Sequence, residues 1–303
     1  AVAEHGGIAP ASRFLNVSSP SISTAISQLE DNFQMQLFVR RHARRLSLTD
    51  DGQHFYDHAR RLLADAEGLQ QVADDISDRI GGKLRVGCLS TFAGFVLPEL
   101  RKGFEDAFPA VEIEQTHTDQ ARLLELLARS DIDIALTYDL GVGGWHHFEP
   151  LVSLPPHVML PAKHPLATRS TVSLKALSKE PMVLLDLPLS RDYFLSLFEC
   201  AGLHPQIAER TVDMGILRSM VANGYGYALA NIRPKSGVAP DGKPLRFVKL
   251  SGGYRAMIMG LVTPAARHKT RTLLAFEKHC RATISTQTIL GLETPNASAI
   301  DLR

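Results

Sequence analysis

A multidomain chain, α-helical at its start and α/β over the rest, is what the sequence predicts. Three patterns carry that expectation: short helical spacings closed by an arginine-rich hairpin, then a long heptad seam, then strands alternating with helices in two series. At 303 residues the chain is long enough for two or three domains, and its 45% hydrophobic content is ordinary for a globular fold. No apolar run reaches the roughly 18 residues of a membrane span, so none is expected. The opening AVAEHGGIAP lacks the basic and apolar regions of a secretory signal. It reads as starting inside a helix, so the first helix is expected to be incomplete. Cys88, Cys200 and Cys280 are odd in number and far apart in sequence, which favours a reducing compartment over a disulfide framework. The net charge of +1 selects no partner. Its distribution says more: Arg40, Arg41, Arg44 and Arg45 crowd one short stretch, and residues 50–78 are mostly acidic.

The first elements are short helices. Ile8 to Leu15 has helical spacing, and Asn16-Val17-Ser18 makes a turn. Ser18 or Ser19 caps the next helix and Pro20 suits its first turn. That helix runs to about Asn32, with Ile22, Ala25, Ile26 and Leu29 as its buried face. Serine is a mediocre helix former, because its hydroxyl competes for backbone groups. Yet Ser21, Ser23, Thr24, Ser27 and Gln28 fill the outward face, with Ser18 and Ser19 at the start. LFVRRHARRLSLTDDG then gives two short alternating segments around an arginine-rich tip, the pattern of a hairpin or wing.

From Gly52 to Ile80 the apolar positions are Phe55, Ala59, Leu62, Ala66, Leu69, Ala73, Ile76 and Ile80, spaced alternately four and three. Such a seam spans roughly 39 Å as one helix. Small Ala at alternate positions favours pairing with a second helix over packing on its own domain. Gly81-Gly82 is expected to end it.

Beyond it, KLRVGCLS, VEIEQTHT and DIDIALTY read as strands around the helices LPELRKGFEDAF and QARLLELLAR. MVLLDL, QIAERT and GYALA repeat the pattern around RDYFLSLFECAG and MGILRSMVANG. RAMIMGLVT adds a late strand and KTRTLLAFEKHCRA a last helix. The tail has no periodicity and is expected to pack weakly. The expected divisions are 1–51, a helical linker 52–81, an α/β part 82–285 and a tail 286–303. Within the α/β part, lobe I takes about 82–161 and 263–285, and lobe II about 162–262.

The sequence NVSSPSISTAISQLE, then LFVRR, LSLTDDG and ARRLLADAE, resembles the LysR-type transcriptional regulators. The resemblance covers nearly the whole chain and is strongest over residues 8–67. It implies a winged helix-turn-helix, a dimerising linker helix, and a two-lobed Rossmann-like α/β effector domain of the type II periplasmic-binding-protein kind. It also implies double-stranded DNA at a promoter or operator as partner, a small-molecule effector, and a homodimer through the linker assembling into a homotetramer. The start of the first helix is missing, and Thr24 stands where the family often has a basic residue.

On that reading the DNA-binding residues are Ser18, Ser19, Pro20, Ser21, Ser23, Thr24, Ser27, Gln28, Arg40, Arg41, Arg44 and Arg45. Short hydroxyls allow close approach to DNA, and the helix start offers amides to phosphate. Gln28 suits adenine by side-chain type. Arg40 aligns with the family's wing-base arginine, and wing arginines suit phosphate and the minor groove. Ligands of open α/β sheets bind beyond the carboxyl ends of strands. Those ends deliver Ser90 and Thr91, Thr118 and Asp119, and Thr137, Tyr138 and Asp139 from lobe I. Lobe II delivers Pro188, Ser190 and Tyr193, then Met214 and Gly215. All match family positions that line the effector pocket, and they suit a small polar or carboxylate-bearing molecule.

No G-x-S-x-G, P-loop or C-x-x-C motif occurs, so no catalytic residue, metal site or cofactor is expected. His54 and His58 lie four apart off the seam without a third ligand, and His146-His147 beside Trp145 reads as a loop. Two other classes compete: a thiol redox-sensing regulator acting through Cys200, and a solute-binding protein without a DNA role. A bacterial, cytoplasmic protein without membrane contact is the expectation.

Overall fold

A computed structural model gives the fold and describes residues 1–41, 45–76, 79–265, 269–285, 288–289 and 291–293. Two compact units divide it, 1–69 and 70–303.

The first unit begins with α1 (Val2–His5) and α2 (Ile8–Leu15). Asn16, left-handed at φ 57, turns the chain, and the Ser12 hydroxyl holds the turn by donating to the Val17 carbonyl at 2.6 Å. Helix α3 (Ser19–Phe33) follows, its start capped by Ser18, whose hydroxyl accepts from the Ser21 amide. Val2, Ala11 and Ile22 form the buried core here, with Ile8, Ile26, Phe38 and Leu46 packed on it. That core ends at Ile26. Ala25 and Leu29, expected inside, are exposed beyond it. Instead the Glu30 carboxylate accepts from the Leu37 and Phe38 amides at 2.7 and 3.1 Å and ties the helix to the hairpin. The hairpin pairs β1 (Phe38–Arg41) with β2 (Arg45–Leu48) antiparallel, Arg41 opposite Arg45.

Helix α4 (Asp50–Ile76) carries the heptad seam. Phe55 is half-buried, its ring edge-on to Phe33 at 4.8 Å, whereas Leu62 is 72% exposed and Ala66 is exposed. The side chains of Leu69, Ala73 and Ile76 lie outside the described residues. The expectation of a seam to Ile80 is corrected: residues 79–80 are not helical, and Ile80 packs against the α/β core.

The second unit holds two sheets. β3 (Gly82–Leu89), α5 (Ser90–Ala107), β4 (Val111–Thr118), α6 (Gln120–Ala128) and β5 (Ile134–Tyr138) wind a parallel core, and β6 (His146–Leu154) follows. β4 alternates buried and exposed residues at its start, as an edge strand does, while β5 is buried throughout. β7 (His157–Pro161), β8 (Thr171–Ser173) and α7 (Leu174–Leu177) open the second lobe. β9 (Pro181–Leu185), α8 (Ser190–Cys200), β10 (Gln206–Thr211), α9 (Met214–Ala222), β11 (Ala228–Ala230) and β12 (Leu245–Ser251) complete it. β13 (Met257–Pro264) then returns to the first sheet, before α10 (Arg271–Thr283). The first sheet runs β4-β3-β5-β13-β6; the second lobe contains β11-β7-β12-β8 and the pair β10-β9.

The chain therefore crosses between lobes at 155–156 and 252–256, not near 161 and 262. β7 pairs with β11 and β12, and β13 pairs with β5 and β6. The sequence pattern does not predict β6, β7, β8, α7 or β12. His146 and His147 open β6 opposite Pro264 and Thr263, so they are strand and not loop. The tail differs as well. Ile289 and Leu292 are each 1% exposed, and the Lys235 amide bonds the Gly291 carbonyl. Two anchors in so short a segment leave no periodicity to read.

Candidate effector cleft and nucleic-acid face

The chain reversals that follow β3, β5, β9 and β11 meet in a cavity between the lobes. It encloses about 10 Å3, room for about one water. Thr91, Tyr138 and Met257 line it from lobe I; Leu185, Ser190, Phe194, Met214, Ala230, Asn231 and Ile232 line it from lobe II. The strand-end rule thus brings Thr91, Tyr138, Ser190 and Met214 together. Asn231 follows β11 directly, so the same rule applied to GYALA would have found it.

Polar groups in this cavity are under-used. Thr91, Ser190 and Asn231 are 4%, 3% and 5% exposed, and Thr91 Oγ1, Ser190 Oγ and Asn231 Oδ1 have no hydrogen-bond partner of ordinary geometry. Buried polar atoms normally find partners. Burial raises the Tyr138 phenol, and the nearby Thr91 hydroxyl opposes that rise in part. The residue before α5 is Leu89, which cannot cap it with a side chain, so first-turn amides are left for another acceptor. Leu189, before α8, has a positive φ of 65, a costly conformation for leucine. Its side chain lies over Gly141, where an added Cβ would come within 2.9 Å of it.

The other predicted effector residues have different surroundings. Thr118 ends the edge strand β4 and Asp119 caps α6 through the Arg122 amide at 3.0 Å. Thr137 is fully buried beside Tyr138 in β5 and points to the opposite face, as strand neighbours do. Asp139 accepts from the Ile258 amide at 2.9 Å and pairs with Arg255. Ser90 and Pro188 are exposed. Tyr193 donates to the Arg255 carbonyl at 2.6 Å, and burial pushes its phenol up to about 12. Gly215 lines a separate surface hollow with Ile216, Met220 and Tyr225. None of these eight lines the inter-lobe cavity.

On α3 the chemistry is simpler. Ser18, Pro20, Ser21, Ser23, Thr24, Ser27 and Gln28 are exposed and Ser19 is half-buried. The Ser18 and Ser21 hydroxyls share a hydrogen bond at 2.8 Å, which occupies them locally. Arg40, Arg41 and Arg45 lie on the hairpin strands, while Arg44 falls outside the described residues.

Residues 77–285 match the family described as the LysR substrate binding domain, and residues 1–53 match the bacterial regulatory helix-turn-helix protein, lysR family. The chain belongs to the LysR family of transcriptional regulators. It joins a DNA-binding helix-turn-helix to an effector-binding α/β domain. Among solved structures it is similar to HinK, a LysR family transcriptional regulator from Pseudomonas aeruginosa, at 36% identity and TM-score 0.66, over 94% of this chain and 96% of that one. It is 30% identical to YvbU of Bacillus subtilis, an HTH-type transcriptional regulator, over 78% of this chain and 80% of that one. CbnR complexed with its target DNA has the same fold, at 21% identity and TM-score 0.64, over 93% and 96% of the two chains.

The thiols of this LysR-family chain do not meet at the cleft. Cys88 and Cys280 are buried, which raises both thiols; Cys200 is exposed as the last residue of α8. No helix among the described residues is long and apolar enough to cross a membrane.

Proposed function

We propose that this regulator reads double-stranded DNA with the hydroxyl face of α3 and the hairpin arginines, and adjusts that binding to a small molecule held between its lobes. The observation that carries the second half is that three buried residues with under-used polar atoms, Thr91, Ser190 and Asn231, line one inter-lobe cavity. A small polar or carboxylate-bearing molecule suits them. The cavity is too small for a metabolite, so binding requires the lobes to part.

Ser18 to Gln28 face the major groove, with Arg40, Arg41, Arg44 and Arg45 on phosphate or minor groove. Two α4 helices pair through Phe55, Ala59, Leu62, Ala66, Leu69, Ala73 and Ile76. That pairing sets two α3 helices about 34 Å apart, or a multiple of it. Dimers join into a homotetramer that bends DNA between sites. The effector must favour one lobe arrangement over another to alter that geometry. The protein acts in the cytoplasm, without catalysis, cofactor or metal.

The test is a footprint on the intergenic DNA beside its own gene, with and without compounds that stabilise the protein. The expected result is a protected region whose length or affinity changes with a stabilising compound. Binding of such a compound with both unchanged would overturn the proposal.

A further inference from the structure

Asn231 has one amide and two kinds of neighbour. Its Nδ2 donates to the Leu154 carbonyl at 2.7 Å and to the Tyr193 hydroxyl at 3.3 Å. A carbonyl only accepts, so this bond fixes which way round the amide sits. The oxygen, Oδ1, is thereby the atom left for the cavity, and it has no partner. The two donor contacts lead to both crossings between the lobes. Leu154 is the last residue of β6 before the first crossing. Tyr193 spends its own proton on the carbonyl of Arg255, which lies within the second.

We propose that Asn231 selects an effector that presents an N–H or O–H donor, and that the same amide passes occupancy to both crossings. This rests on the cleft being the effector site. An amide oxygen cannot donate. A ligand offering only acceptors there meets its lone pairs and leaves it desolvated, whereas a donor satisfies it. Thr91 and Ser190 impose no such rule, since a hydroxyl serves either role. A bond accepted at Oδ1 also polarises the amide and strengthens what Nδ2 donates. Occupancy therefore tightens the contacts to Leu154 and Tyr193, on which the lobe crossings turn. The effector is a donor-bearing compound, such as an amine, amide or alcohol, and not a bare oxyanion.

The experiment measures the thermal midpoint of the full chain with matched probes: acetamide against N,N-dimethylacetamide, glycine against glycine betaine, and methylammonium against tetramethylammonium. Each pair keeps its charge type and differs in donors. At least one donor-bearing member is expected to raise the midpoint, and its methylated partner not to. Asn231→Leu is expected to weaken that binding roughly tenfold or more. Asn231→Asp keeps an acceptor at this position and loses the donor to Leu154. It is expected to retain methylammonium binding, and it stands in should the Leu variant fail to fold. A methylated partner that stabilises equally overturns the proposal, as does a shift that survives Asn231→Leu in a folded protein. Silence of every donor-bearing probe on the wild type counts against it too. If binding depends on Thr91 and Ser190 but not on Asn231, the cleft reading stands and this inference falls. A missing footprint would sink the DNA reading alone.

Discussion

The Arg218 guanidinium lies over the Phe95 ring at 5.5 Å from its centroid, joining α9 of lobe II to α5 of lobe I one helical turn from Met214 and Thr91. Arg218 is 5% exposed and donates to the Ser236 and Val238 carbonyls at 3.1 and 2.6 Å. Replacing it leaves two carbonyls short of a donor and removes a desolvated cation–π contact. Arg218→Ala should destabilise the effector unit by about 2–4 kcal/mol. Thermal unfolding followed by circular dichroism checks it, and an unchanged midpoint would show the contact to be incidental.

Gly52 supports the junction of hairpin and linker. A Cβ there would stand 2.1 Å from the Leu37 carbonyl oxygen, a backbone atom that cannot swing aside. The Leu37 carbonyl already accepts from the Thr49 amide, and Thr49 Oγ1 accepts from the Gly52 amide at 2.8 Å. Gly52→Ala should cost about 2–4 kcal/mol in the DNA-binding unit by overpacking. DNA affinity should fall alike on specific and random duplexes. A mutant whose DNA affinity and unfolding match the wild type would contradict this.

Those two contacts mark where the sequence could be read and where it could not. Local signals worked: Ser18 and Pro20 placed the start of α3, and strict alternation placed the hairpin. The helix start that delivers Thr91 and Ser190 was legible because strand ends in α/β sheets obey a topological rule. What failed depended on partners remote in sequence. β13 is a strand by composition, but only pairing with β5 and β6 assigns it to lobe I. Leu29 is apolar at a helical spacing, yet it stays 37% exposed beyond the core around Ile22. Asn231 follows β11, where the strand-end rule reaches it, but only the folded packing leaves its amide oxygen without a partner.

The hairpin arginines should govern non-specific affinity. Arg40 and Arg41 occupy β1, which the Arg41–Arg45 register closes against β2. Each lysine or arginine that neutralises a phosphate releases counterions. Arg40→Ala with Arg41→Ala should weaken binding on all sequences and reduce the log–log salt slope by roughly two. Gln28→Ala should leave that slope alone and relax sequence preference instead. Fluorescence anisotropy across a salt series separates these effects, and an unaltered slope in the double mutant would remove the arginines from the phosphate backbone.

Acid should loosen lobe II through His157. This side chain sits on β7 edge-on to the Phe247 ring at 5.5 Å. Burial, with Arg233 adding repulsion, holds its imidazole down at about 4 against an ordinary 6.5. Between those values the unfolded chain takes up a proton that the folded chain refuses. The stability it contributes is therefore fully present above pH 6.5 and is lost as pH falls towards 4. The whole effect is about 3 kcal/mol. Denaturant midpoints compared across this window should fall less steeply for His157→Gln than for the wild type, because carboxylates titrate equally in both. Parallel curves would mean that the imidazole is protonated in the folded protein as readily as in the unfolded chain.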